Sequence, residues 1–122
     1  MKVKLCGFKN KESVLAAIAV GIDFIGFVFC AKSARYISPE ESREISKIIP
    51  AQIAKVAVLA DANLDLIKRV QKNLSPDYFQ FHGSETPAFL QEIRELFPQV
   101  KIIKAFRIAD RKDLQQITEF ED

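Results

Sequence analysis

Side chains able to do chemistry recur at intervals along this chain, each just behind a short apolar run. They are Cys6, then Cys30 with Lys32 and Arg35, then Asp61, then His82, then Lys104 with Arg107. A thiol acts as a base or nucleophile only as the thiolate. A cationic neighbour such as Arg35 favours that form, and its guanidinium would also dock a carboxylate. A thiol, an imidazole and several cations on one rim therefore suit an anionic small molecule. No metal site is expected, because the two cysteines and one histidine never come within ligand spacing of each other. The four glycines are scattered singly, so there is no Gly-rich phosphate loop. Each candidate also has a plainer reading. A cysteine in a short strand is more often a small buried hydrophobe, Lys32 and Arg35 in a polar loop are more often solvated, and a lone histidine before a glycine is more often a turn residue.

The elements that must position these groups follow from periodicity. Residues 2–6 read as a first strand, with 7–10 as its loop. Lys11 to Val20 has helical apolar spacing at Val14, Leu15, Ile18 and Ala19, and Gly21 stops it. Phe24 to Phe29 is a continuous apolar run, the pattern of a strand buried on both faces. After the polar loop 30–37, Ser38, Pro39 and Glu41 open a second helix as N-cap, N1 and N3, and Pro50 ends it. Strands at Ala54–Leu59, Tyr78–Phe81 and Lys101–Phe106 alternate with helices at Leu64–Asn73, Pro87–Phe97 (N-cap Thr86) and 110–120. Strand and helix in alternation imply a parallel sheet with right-handed crossovers, and function at the C-terminal ends of the strands. Two architectures fit: an open doubly wound sheet, or the first part of an eight-stranded barrel, which takes about 200 residues or more.

Composition excludes other classes. The chain has 122 residues, 48% hydrophobic and 28% charged, an ordinary soluble domain. Its 18 basic and 16 acidic residues are dispersed, for a net charge of +2, so no nucleic-acid partner is expected. No apolar run approaches the roughly 18 residues of a membrane span. The N-terminus is already a strand rather than a signal peptide, so reduced thiols and a cytoplasmic location are expected.

Five stretches together resemble the phosphoribosylanthranilate isomerase family of tryptophan biosynthesis. Lys4-Leu5-Cys6-Gly7 is similar to its opening K-x-C-G, and residues 21–29 to its second strand, G-A-D-x-x-G-F-V-F. Residues 32–38 match its K-S-x-R-Y-I-S loop, Phe79-Gln80-Phe81-His82-Gly83 its L-Q-L-H-G strand, and Ile103-Lys104-Ala105 its I-K-A. Two places depart from the pattern: Val58-Leu59-Ala60-Asp61 stands where V-F-V-N is usual, and Cys30 where an aromatic residue is common. The resemblance implies a cofactor-free α/β enzyme, the first five units of a TIM (βα)8 barrel, with residues 1–122 forming one partial (βα)5 domain truncated before strand six. It implies an Amadori rearrangement of a phosphorylated sugar–anthranilate substrate. Cys6 is then the catalytic base, Arg35 the partner of the anthranilate carboxylate, and Gln80 and His82 line the substrate site.

In the same family the general acid is an aspartate at the end of a sixth strand, and phosphate is held by later loops. Asp122 follows a helix and is not given the acid's role. Little or no isomerase activity is therefore expected of the chain by itself, and an inactive remnant is the alternative. An open partial barrel exposes two strand edges, which invite pairing. That points to a homodimer, a complementing C-terminal fragment or a rearrangement. The rival from another class, a doubly wound response-regulator-like domain, has Asp61 and Lys104 in its favour. Against it, Cys6-Gly7-Phe8-Lys9 stands where an acidic pair would hold Mg²⁺.

Overall fold

The computed structural model describes residues 2–106. Within them the elements are β1 (Lys4–Cys6), α1 (Lys11–Ala19), β2 (Phe24–Val28), α2 (Pro39–Ser46), β3 (Ala54–Leu59), α3 (Leu64–Leu74), β4 (Tyr78–Phe81), α4 (Pro87–Leu96) and β5 (Lys101–Lys104). Arg107, the expected fifth helix at 110–120 and Asp122 lie outside the described residues.

The five strands form one sheet in the order β1-β2-β3-β4-β5, every pairing parallel. Sequential order with right-handed crossovers puts each helix on the same side of the sheet. The doubly wound alternative needs a reversal of strand order and helices on both faces, so this topology overturns it. The fold is that of the first βα units of a TIM barrel.

Successive side chains on a strand point to opposite faces. On the helix side Ile25, Phe27, Ala57, Leu59, Phe79 and Phe81 are all fully buried against Val14, Ile67, Val70, Leu90 and Ile93. On the other face Cys6, Val28, Val58, Gln80 and Ile103 are only half-buried. The sequence pattern predicted a second strand buried on both faces. The helix face is sealed, whereas on the other face Gly26 and Val56 at the centre of the sheet are buried and Phe24 and Val28 are half-buried.

That second face is concave. Lys4 on β1 donates a hydrogen bond to Gln80 Oε1 on β4, across β2 and β3. In a flat sheet three inter-strand spacings and a register offset of four residues would put these residues about 20 Å apart, so the sheet must curl and tilt its strands for the side chains to meet.

Local chemistry sets the helix ends. Asn10, Ser38, Asn63 and Thr86 each accept a hydrogen bond from the N3 backbone N–H of the helix that follows. Ser38 and Glu41 complete the expected capping box. Gly21, at φ +84°, takes the left-handed turn that ends α1. Helix α2 closes at Ser46, earlier than Pro50 alone suggested. Ile48 and Ile49 tighten instead into i→i−3 turns at 3.2 and 3.1 Å, since a residue preceding proline is disfavoured in helix.

Candidate active site

Cys6 ends β1 with its side chain on the concave face, level with Gly26 of β2. The missing side chain of Gly26 leaves room for the thiol: a Cβ there would come 2.5 Å from Cys6 Sγ. Gly7 follows at φ +89°, and the side chain of Arg35 lies where a Cβ on Gly7 would project. Two glycines thus hollow out space for a thiol and the stem of a guanidinium.

Arg35 comes from a tightly turned loop. Ser33 N–H donates to Cys30 O at 3.0 Å, Tyr36 N–H to Ser33 O at 3.2 Å, and Arg35 N–H to Ser33 Oγ at 3.1 Å. Ile37, 1% exposed, ties the loop back to β2 by donating to Val28 O at 3.0 Å. Lys9 Nζ reaches Ala34 O at 3.3 Å and links the first loop to this one.

Strand β4 supplies the opposite wall. Phe79 and Phe81 flank Gln80 and are buried on the helix side, in edge-on contact with Phe97 and Phe89 at centroid distances of 5.4 and 5.9 Å. Their anchoring turns Gln80 onto the concave face. His82 follows, exposed, with its N–H donating to Leu59 O at 2.8 Å.

These groups share one cleft of about 430 Å³, lined by Cys6, Cys30, Arg35, Gln80 and His82 with Val28 and Val58. All four residues named from sequence as site residues, Cys6, Arg35, Gln80 and His82, are brought together. Cys6 and Cys30 are free thiols. A second cleft of about 420 Å³ adjoins it through Cys30 and Ala60, and holds Lys32 and Asp61. Among the described residues no three histidine, cysteine or acidic side chains are grouped to hold a metal ion.

Lys104 and Asp61 do not line the cleft with Cys6, which corrects the sequence reading. Lys104 pairs in register with Phe81, so it shares the helix-side face rather than that of Gln80. Its Nζ donates to Gly83 O at 2.6 Å and to Glu85 Oε1 at 2.8 Å. Asp61, at φ +50°, instead accepts a hydrogen bond from Ser84 N–H at 2.7 Å. Glu85 was missed by sequence reasoning altogether. It is 7% exposed, and its second oxygen accepts from Asp61 N–H at 2.8 Å. Burial pushes its carboxyl up, but hydrogen bonds from Lys104 and backbone N–H groups, with the Lys104 charge, outweigh burial and hold it below the usual glutamate value. An acidic residue beside a helix N-cap was the one signal in the sequence.

A singly wound parallel sheet, with a thiol, a guanidinium, an amide and an imidazole at its strand C-terminal ends, places the chain in the barrel-type βα class. Residues 3–122 match the family model of N-(5'-phosphoribosyl)anthranilate (PRA) isomerase, and the chain belongs to that family. It is 40% identical over 116 residues to an N-(5'-phosphoribosyl)anthranilate isomerase of Zymomonas mobilis subsp. mobilis, covering 95% of this chain and 54% of that protein. The corresponding enzyme of Crocosphaera subtropica is 38% identical over 120 residues, 98% of this chain and 57% of that one. Among solved structures, phosphoribosyl anthranilate isomerase from Thermotoga maritima aligns with a TM-score of 0.88 at 33% identity, over 96% of this chain and 56% of that chain. A phosphoribosyl anthranilate isomerase in complex with reduced 1-(o-carboxyphenylamino)-1-deoxyribulose 5-phosphate aligns equally well, with a TM-score of 0.88 over 59% of that chain. The chain spans about half the length of the curated relatives it matches.

Proposed function

We propose that this chain, as a single partial-barrel domain, carries the base and the anthranilate-binding part of a phosphoribosylanthranilate isomerase site. The observation that carries this reading is the one cleft shared by Cys6, Arg35, Gln80 and His82 at the C-terminal ends of three strands. The reaction is an isomerisation within tryptophan biosynthesis. A general acid protonates the ring oxygen of N-(5'-phosphoribosyl)anthranilate, and the nitrogen lone pair opens the ring to a Schiff base. The Cys6 thiolate then removes the C2 proton, and the C–H electrons form the C1–C2 double bond as the C1–N π electrons return to nitrogen. Tautomerisation of the resulting enol gives the aminoketose. Protons and electrons are only redistributed within the substrate, so no cofactor enters the scheme.

Arg35 suits the anthranilate carboxylate because a guanidinium offers two parallel donors to a planar anion. Gln80 and His82 add polar groups to a wall that is otherwise apolar at Val28 and Val58. The family resemblance assigns the acid and the phosphate loops to later strands. Acid catalysis is commonly worth about 10²–10⁴ in rate, so the chain alone is expected to turn over at least that much more slowly than a full-length relative. A second copy would pair with the edge strands, and a fragment supplying further βα units would complete the site. A reducing, cytoplasmic setting would keep Cys6 available as a thiol.

The test is turnover of phosphoribosylanthranilate, followed by loss of its fluorescence, with the chain alone and mixed with the later units of a relative. Cys6→Ala runs alongside. Turnover that rises on mixing and vanishes in the Cys6→Ala chain is the expected result. Turnover that survives Cys6→Ala overturns the assignment of the base, and near-normal turnover by the chain alone overturns the assignment of the acid to another segment.

A further inference from the structure

The chain has one histidine, and the backbone on both sides of its side chain is pinned. His82 N–H is held by Leu59 O. The next residue, Gly83, is held at both its polar groups: its N–H donates to Glu85 Oε1 at 2.9 Å, and its carbonyl accepts from Lys104 Nζ at 2.6 Å. Glu85 Oε2 also takes the Asp61 N–H, so one carboxylate ties the end of β3, the turn after β4 and the end of β5 together. The pair is buried, with the Lys104 side chain 10% exposed and that of Glu85 2%. Gly83 fits the space closely, for a Cβ there would come 2.6 Å from Asp61 Oδ2.

A buried ion pair is a poor device for stability alone, since apolar residues of similar volume often do as well or better. What such a pair does supply is fixed geometry at the groups it bonds. Here those groups are the N–H and carbonyl of Gly83, directly after His82, and the N–H of Asp61 beside it. Glu85 itself does not line the Cys6 cleft. We propose that Glu85 is a positioning residue, with Lys104 as its counter-ion, which fixes the peptide after His82 and so the placement of the imidazole over the cleft. The functional meaning rests on the reading of His82 as part of the substrate site. The placement itself can be tested without any ligand.

A single histidine gives a single set of imidazole NMR signals, an unambiguous reporter. Glu85→Gln preserves shape but replaces one acceptor oxygen with an NH₂, which opposes one of the N–H or ammonium donors now facing it. In a folded Glu85→Gln chain the imidazole signals should shift or split, and exchange protection of the Asp61 and Gly83 amides should fall by about tenfold or more. Arg69→Met, which removes the exposed Arg69–Glu40 pair, should leave them unmoved. Unmoved imidazole signals in folded Glu85→Gln overturn the proposal, because a purely structural Glu85 would change stability alone. If Glu85→Gln does not fold, the unmodified chain decides. Protected Asp61 and Gly83 amides uphold the clamp, and exchange at the rate of free peptide overturns it. Affinity for 2-aminobenzoate, read by its own fluorescence, should also fall several-fold in Glu85→Gln. Failure of the unmodified chain to bind 2-aminobenzoate would count against the proposed function and leave the imidazole result standing.

Discussion

Cys6 Sγ occupies the space that a side chain on Gly26 would enter, with 2.5 Å between the sulfur and the position of a Cβ there. The thiol is therefore placed by an absence on the neighbouring strand. Gly26→Ala should push Cys6 off its rotamer at an overpacking cost of about 1–3 kcal/mol. The measurement is the alkylation rate of Cys6 in a Cys30→Ser background, together with the urea midpoint. Both should change, the rate several-fold. If neither moves, Gly26 has no part in seating the thiol.

Gly7 plays the same part for Arg35. Its φ of +89° is open to glycine and costs an alanine about 1–2 kcal/mol, and a Cβ would also collide with the Arg35 side chain. Arg35→Lys keeps the charge and loses the fork, so affinity for 2-aminobenzoate should fall by about tenfold. Gly7→Ala should weaken binding too, by displacing the same guanidinium. Unchanged affinity in Arg35→Ala would remove Arg35 from the carboxylate's partners.

The sequence made the strand ends readable because each apolar run stops at a polar residue. It made the face of Gln80 readable because Phe79 and Phe81 alternate with it. Lys104 was misplaced for want of such a contrast: Ile102 and Ile103 are adjacent and both half-buried, so alternation in β5 offers no reference for which face a lysine takes. Register with Phe81 decides it, and register is a long-range fact. Glu85 was hidden for a similar reason. In sequence it is a polar residue in a polar loop, and its partner Lys104 lies 19 residues away. The approach of Arg35 to Gly7 depends on loop turns and a strand pairing that no local pattern contains.

Removing one member of the buried pair should be costly. Lys104→Met leaves the Glu85 carboxylate without its counter-ion at a site 2% exposed, and stability should drop by about 3–5 kcal/mol. Glu85→Gln/Lys104→Met removes both charges of the pair, so urea unfolding should show it more stable than Lys104→Met alone. A double variant no better than the single one would mean that lost packing, not the unpaired charge, sets the cost.

The same carboxylate makes stability depend on acid. The folded value of Glu85 lies below the ordinary 4.5, so the unfolded chain binds the proton more readily than the folded one. Its contribution is complete above the unfolded range and disappears as pH falls through the lowered folded value. The exposed Glu40 and Glu44 are also lowered, by hydrogen bonds from Arg69 and Lys47 respectively, and act in the same direction. Salt distinguishes them, because exposed pairs are screened and buried ones are screened much less. Urea midpoints taken from about pH 7 to about pH 3, at low and high salt, should fall along a limb that high salt only partly flattens. Glu85→Gln should remove the part that salt leaves. A limb of equal depth in Glu85→Gln would place the acid sensitivity in other carboxylates, and the buried clamp would have no measurable share in it.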